Sequence, residues 1–426
     1  GFQFSFSVIT AIALLNRPIL GWMRPLTEPD PFMPEVLLNK SQRAALGLRR
    51  WLAGAVAISM VSWVGSLPLT LRHFHLATPV ALVANVLLVP VAFFILFTSI
   101  LIFAAALVHL PLIPLWLGNA NWCFARVAIS LAQAFAFIPG GNFYLDIPEV
   151  RLQAPVELTV LRLRAGGGAQ HLRTVNADWL FDCGSARDYD FLQKSYLNAA
   201  GVNRLQGLVL SHADSEHIGA APFVVRDYHP EHILLSALET SSRSSSLRNL
   251  RNIGVQTGKL SLGDRLEIGG GIVPSRAEVL FPPASLRVAH ADDRPLVLRL
   301  DVGEFRVLWC NDAGFTAEKY IVEKLPPDAA RCDVVIRNQH ASDTSFTPEF
   351  VDRAGPRVVI SANHSFPDVQ KLPQRIRDTC ASRRITLLDQ AETGAVTLRF
   401  WPQRLEVVPF RGGTSPLLFA PQGRAK

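Results

Sequence analysis

What most limits this chain is a long stretch without charge near its start. Residues 51–71, WLAGAVAISMVSWVGSLPLTL, hold no charged side chain over about the 20 residues a helix needs to cross a bilayer. Backbone groups in lipid must bond within their own segment, so this run predicts a transmembrane helix. Residues 76–108 are also uncharged, but they are long for one simple span and contain Pro79 and Pro90. A short re-entrant or broken helix followed by a full span is the expectation there. A further apolar segment, 112–138, holds Arg126, and residues 1–20 read as the tail end of an earlier span, for at least four membrane segments. The opening GFQFSFSVIT lacks a Met and reads as the middle of a longer protein.

Charge gives the membrane part a direction. Between the first two spans stand Arg24, Lys40, Arg43, Arg49 and Arg50 against Glu28, Asp30 and Glu35, an excess that places the loop in the cytoplasm. If residues 76–108 cross once, everything after 140 lies outside the cytoplasm; if they cross twice, it lies inside. Gln3, Asn85 and Arg126 are polar groups at membrane depth, costly in lipid and therefore expected to face protein or a wet path. Asn85, in the segment between Pro79 and Pro90, is the candidate to line a pore, the alternative being a helix–helix hydrogen bond without transport.

Near residue 145 the texture changes to short β-type runs, among them VELTVLRLRAG, ADWLFDCGS, LQGLVLSH, RPLVLRLDVGEFRVLWCND, CDVVIRNQH and PRVVISANH. Stretches such as DYDFLQKSYLNAAG and TAEKYIVEKL have helical character. The chain therefore divides into a membrane helical bundle, residues 1–144, an α/β domain, 145–412, and a mobile basic tail, 413–426. The five cysteines are scattered with no CxxC pair, which argues against a disulfide scaffold or a zinc ribbon. The net charge of +7 suits an anionic partner, nucleic acid or lipid headgroups, although positive-inside loops also make membrane proteins basic.

The chemistry concentrates in LVLSHADSEHIGA, residues 208–220. An apolar strand ends near Ser211, and His212, Asp214, Glu216 and His217 follow on the loop, where open α/β sheets place their ligands. Imidazole and carboxylate without thiolate suit zinc, manganese or iron, and mixed sets of this kind often hold two ions for hydrolysis. A solvated polar turn is the alternative.

The spacing H-x-D-x-E-H resembles the H-x-[HD]-x-D-H signature of the metallo-β-lactamase fold, an αββα sandwich. WLFDCGS is similar to a strand-ending element in which Asp182 would support the metal loop, and FRVLWCNDAG to the strand whose Asp bridges two metals, here Asp312. DVVIRNQHASDTSFTPEFVDRAGPRVVISANHSFPDV resembles a further pair of family elements, placing His340 as a ligand and His364 in support. GFQFSFSVITAIALL and GSLPLTLRHFHLATPVALVANVLLVPVAFFIL resemble the competence domain of ComEC-type DNA-uptake channels.

That family resemblance spans residues 1 to about 412. It implies a channel in the cytoplasmic membrane that carries one strand of incoming DNA during transformation. It also implies a metallo-β-lactamase-like domain on the outer side that degrades the other strand, with two divalent ions, Zn or Mn. Single-stranded DNA, the membrane and other DNA-uptake proteins are the implied partners. Glu216 would ligate or polarise the nucleophile where the family has Asp. Gln339, Asn311 and Ala341 replace a His and two Gly of the family pattern, and Arg162 stands where it has an Asp. These departures keep a second reading open, a domain of the same fold that only binds DNA or gates the channel.

Overall fold

The computed structural model describes the chain apart from residues 1, 30–34, 111, 146–151, 165–166, 240–243, 253, 270, 285, 287–294, 339–344, 364–370, 413–414 and 423–426. The chain divides into two units, Gly1–Ile147 and Pro148–Lys426.

Among the described residues of the first unit three helices are long and apolar enough to cross a membrane: Phe2–Trp22, Lys40–Phe74 and Ala81–Leu107. A fourth helix, Ile113–Ala136, carries Arg126. The second begins at a capping box in which the Asn39 side chain accepts from the Gln42 amide and the Gln42 side chain from the Asn39 amide, satisfying two otherwise orphaned donors. The expected break within 76–108 is absent. Ala81–Leu107 is one helix with Pro90 inside it, and Pro79 precedes it. A proline costs its helix one hydrogen bond at the carbonyl four residues back, a loss that helices in lipid can absorb where neighbours cover the site. Asn121 stitches the fourth helix to the third by donating to the Ile95 carbonyl at 2.9 Å, Thr98 Oγ1 at 3.0 Å and Ser99 Oγ at 2.7 Å.

A two-stranded ribbon, Leu76–Ala77 against Phe143–Tyr144, is antiparallel and is extended by Leu145 N donating to the His75 carbonyl at 2.7 Å. The end of Lys40–Phe74 and the chain beyond Ile113–Ala136 therefore meet at one end of these helices.

The second unit is a sandwich of two mixed sheets. One runs Thr386–Asp389, Val358–Ala362, Val334–Asn338, Phe305–Asn311, Val297–Val302, Ser275–Phe281, Arg265–Gly269; its first four strands are parallel and the rest antiparallel. The other runs Leu417–Phe419, Arg404–Pro409, Val396–Trp401, Val156–Val160, Gln170–Thr174, Asp178–Phe181, Gly207–Leu210, His232–Ser236, Gly258–Leu260, with the last four parallel. Leu158, Trp179, Leu298, Trp309, Ile336 and Leu398 belong to the core between the sheets. Helices including Phe315–Lys324 and Pro348–Ala354 cover one outer face, and Ala221–Tyr228 and Ser245–Asn252 the other, giving the αββα order. Parallel strands covered on both faces read as unbroken apolar runs, such as fully buried Gly207–Leu210, whereas Val396–Trp401 alternates, as half-covered antiparallel strands do. Residues 413–426 were expected as a mobile tail. Leu417–Phe419 instead pairs with Arg404–Pro409, and the Arg357 guanidinium lies 4.9 Å from the Phe419 ring centroid.

Gly65 sits where the first two membrane-type helices cross: a Cβ there would lie 2.5 Å from the Ala11 Cβ, and Ser7 Oγ donates to the Gly65 carbonyl. Close approach through small residues is how such helices pack. Gly65→Val is expected to cost about 1–3 kcal/mol, read as a lower temperature of aggregation in detergent micelles; an unchanged temperature would remove this crossing from the fold's supports.

Candidate metal centre

The centre is assembled at the carboxyl ends of strands from both sheets. Asp182 follows Asp178–Phe181, Ser211 and His212 follow Gly207–Leu210, and Asp312 follows Phe305–Asn311 in the facing sheet. Two of these strand ends turn through left-handed backbone, Asp182 at φ +51° and Asn311 at φ +52°. Asn and Asp are the non-glycine residues that best tolerate that region. This accounts for Asn311 in a position where the resembling pattern has Gly. Its side chain is used as well, accepting from Asn338 Nδ2 at 3.0 Å.

His212, His217 and Asp312 offer ligand atoms that all lie within 4.8 Å of one another, and the two imidazole centroids are 4.3 Å apart. All three residues are buried, the histidines at 1% exposure and Asp312 at 8%. Fully buried Asp182 organises them. It accepts from Ser211 N at 2.8 Å, from Ser211 Oγ at 2.7 Å and from His217 Nδ1 at 2.9 Å. Because the Ser211 hydroxyl gives its one proton to Asp182, His212 Nδ1, 2.9 Å away, must be the donor of that pair. The His212 lone pair is therefore on Nε2, a buried atom with no hydrogen-bond partner among the described residues. His217, donating from Nδ1 to Asp182, turns Nε2 toward Asp312 Oδ2 at 3.2 Å. A carboxylate that fixes a ligand's tautomer through its other nitrogen is a recurrent feature of metal sites.

The electrostatics favour a cation. Burial lowers the His212 pKa, and the neighbouring His217 lowers it further. Burial acts the same way on His217, but Asp312 and Asp182 outweigh it and hold the ring well above ordinary imidazole. Two imidazoles and a carboxylate, one nitrogen of them unpartnered, fit a divalent ion such as zinc or manganese.

The other expected residues are placed differently. Asp214 is half-exposed and caps the one-turn helix Ser215–Ile218 by accepting from Glu216 N at 3.3 Å. Glu216 is exposed. Both lie outside the three-residue group: successive residues on a helix step by about 100°, and the turn that sends His217 inward sends Glu216 outward. His340 and His364 lie outside the described residues, as do Gln339 and Ala341. Asn85 is half-buried and lines a cavity of about 720 Å3 together with Arg50, Ser59, Ser62 and Pro90.

Three supports carried no signal in the sequence. Ser211 relays Asp182 to His212, as above. Glu239, buried, accepts from Ala213 N at 3.1 Å. Gly167, at φ +74°, presses against the metal loop so closely that a Cβ would lie 1.9 Å from the Glu216 carbonyl oxygen. A lone Ser, Glu or Gly is too common for pattern to single out; only the fold makes these three partners of one loop.

Residues 1–163 match the Competence protein family, and residues 176–348 match the Metallo-beta-lactamase superfamily. The chain joins a competence domain to a metallo-beta-lactamase domain. This pairing is similar to the ComEC type. ComE operon protein 3 of Bacillus subtilis (strain 168) is 23% identical over 207 residues, which are 48% of this chain and 26% of that protein. The chain thus spans about a quarter of the length of the curated relative it matches. Among solved structures, Igni18, a metallo hydrolase from Ignicoccus hospitalis, is 14% identical with a TM-score of 0.38, covering 57% of this chain and 100% of that one. The metallo-beta-lactamase fold protein YhfI from Bacillus subtilis is 13% identical with a TM-score of 0.37, covering 57% of this chain and 99% of that one. The metallo-beta-lactamase fold implies divalent metal binding.

Asp182→Asn keeps the shape but disturbs the donor order at Ser211 and His217. It is expected to weaken zinc or manganese binding about 10–100-fold, measured by competition with a chelator, while circular dichroism stays unchanged. Asn311→Gly is expected to hold metal nearly as the parent does, whereas Asn311→Val forces a β-branched residue into left-handed backbone at a cost of about 1–3 kcal/mol, read in thermal unfolding.

Proposed function

We propose that the protein acts in DNA uptake at the cytoplasmic membrane and that its second unit hydrolyses phosphodiester bonds of single-stranded DNA. The observation that carries the chemistry is the buried, unpartnered Nε2 of His212 beside His217 and Asp312. A divalent ion held by these three residues supplies Lewis-acid chemistry for hydrolysis. Ser211 holds His212 in the tautomer that leaves its Nε2 available, while Asp182 takes His217 Nδ1 and turns its Nε2 to Asp312, which brings negative charge from the facing sheet. Zn or Mn, and two ions rather than one, remain the expectation.

The membrane part supports the uptake role through its competence-family match. On this reading the cationic loop before residue 51 is cytoplasmic, and if residues 76–108 cross once the second unit lies on the outer side. Asn85, with Ser59 and Ser62 in the same cavity, would be a polar contact on the strand's path. Other DNA-uptake proteins are the partners this role requires.

One observation favours a second reading, in which the domain binds DNA or gates the channel without cutting. Asp214 is engaged as a helix cap and Glu216 faces away, so the described ligand set is short by two carboxylates.

The deciding experiment is elemental analysis of the whole chain in detergent micelles after Mn or Zn loading, beside His212→Ala, with cleavage assays on single-stranded DNA. The hydrolase reading expects bound ions that the variant loses and cleavage that EDTA abolishes. Bound ions without cleavage would favour the second reading, and a folded chain without ions would overturn the hydrolase.

A further inference from the structure

The strands Asp178–Phe181, Gly207–Leu210 and His232–Ser236 are parallel neighbours, so their carboxyl ends open on one rim, where such sheets receive ligands. The segments that follow each of them wall a cleft of about 840 Å3. Ser185 and Arg187 come from beyond the first strand, Ser215 and Glu216 from beyond the second, and Ser246 and Asn249 from the helix beyond the third. Glu216 lines this cleft while its neighbour His217 belongs to the metal group. One short loop therefore serves both.

The lining has a definite chemistry. Hydroxyls and amides come from three of its walls. Arg187 is exposed and has no ion-pair partner among the described residues. Phe223 and Arg226 line the remaining wall. The Phe223 ring stacks on Tyr189 at 5.5 Å and 24°, and the Arg226 guanidinium lies 5.4 Å from the Phe223 centroid. Asp227, 2.6 Å from Arg226 Nε, takes up part of that charge. Glu216 also lines the cleft, and Arg187 is its cation without an ion-pair partner among the described residues. Free cation, neutral donors and a braced planar stack are what an unpaired strand needs: phosphates meet charge and donors, and bases meet flat π surfaces.

We propose that this cleft binds the sugar–phosphate backbone of a single-stranded nucleic acid, with Arg187 on a phosphate and the Arg226–Phe223–Tyr189 stack as platform for a base. The assignment of this ligand rests on the phosphodiesterase reading above, and it places the strand along the metal-bearing loop.

The test is fluorescence anisotropy of a labelled oligothymidylate of about 12 nucleotides on the whole chain in micelles. Excess EDTA prevents cutting. Arg187→Ala is expected to weaken binding about fivefold and to reduce the salt slope of log K by about 0.7, one phosphate contact on a single strand. Phe223→Leu, which keeps an apolar contact on Tyr189, is expected to weaken binding about fivefold with the slope unchanged. Arg248→Ala, on the same helix as Ser246 but outside the cleft, is expected to change neither quantity. Parent-like binding in both cleft variants, or equal loss in Arg248→Ala, would overturn the cleft. Since no ion takes part, an oligonucleotide bound through Arg187 by a chain that takes up no metal would retain the cleft and sink the hydrolase. Metal-dependent cutting with parent-like binding in the variants would do the reverse.

Discussion

The second unit depends on one buried imidazole held between two carboxylates. His217 reaches Asp182 in its own sheet and Asp312 in the other, so the polar centre ties together layers that otherwise meet through hydrophobic packing. Buried carboxylates are costly to leave uncompensated, and with two of them flanking one histidine, the most favourable occupant of the space beside His212 is a positive charge. The fold therefore carries a strong internal reason to bind a cation, apart from any catalysis that follows. One departure from the resembling pattern fits this view: Asn311 preserves the left-handed turn that precedes Asp312, and the metal loop keeps its anchor in Asp182.

Much of the sandwich was legible because its parallel strands are covered on both faces. LQGLVLSH, CDVVIRNQH and PRVVISANH stand out as apolar runs for that physical reason. Strands such as Gln170–Thr174 and Arg404–Pro409 were not singled out, since QHLRT and RLEVVP mix charge and apolar residues according to local cover. His171 shows why: it lies in a fully buried strand position yet is satisfied by Asp178 at 2.9 Å and Tyr196 at 3.2 Å, a pairing that sequence proximity does not reveal. At the site, the local pattern offered His212 and His217 and the family resemblance offered Asp312, but neither could say which neighbouring carboxylate turns inward. The direction of Glu216 is fixed by one helical turn and by the glycine loop pressed behind it.

The membrane unit shows the opposite error. Pro79 and Pro90 read as interruptions, whereas Pro90 sits inside one continuous helix, as Pro68 does in its own. Pattern counts the hydrogen bond that proline removes; it does not count the neighbouring helix that makes the loss tolerable. Asn121, with its three bonds to one turn of the adjacent helix, was invisible for the same reason: its partners include a backbone carbonyl, which has no letter in the sequence.

The short ribbon between residues 76–77 and 143–144 has a mechanical consequence. It closes a ring of backbone around the helices Ala81–Leu107 and Ile113–Ala136, whose far ends are already joined by a short connection. A hairpin fastened at its open end cannot slide one leg along the other or along Lys40–Phe74 without breaking the fastening. Motion that opens a passage through this unit would then take the form of tilting the fastened pair as a single lever, hinged near His75.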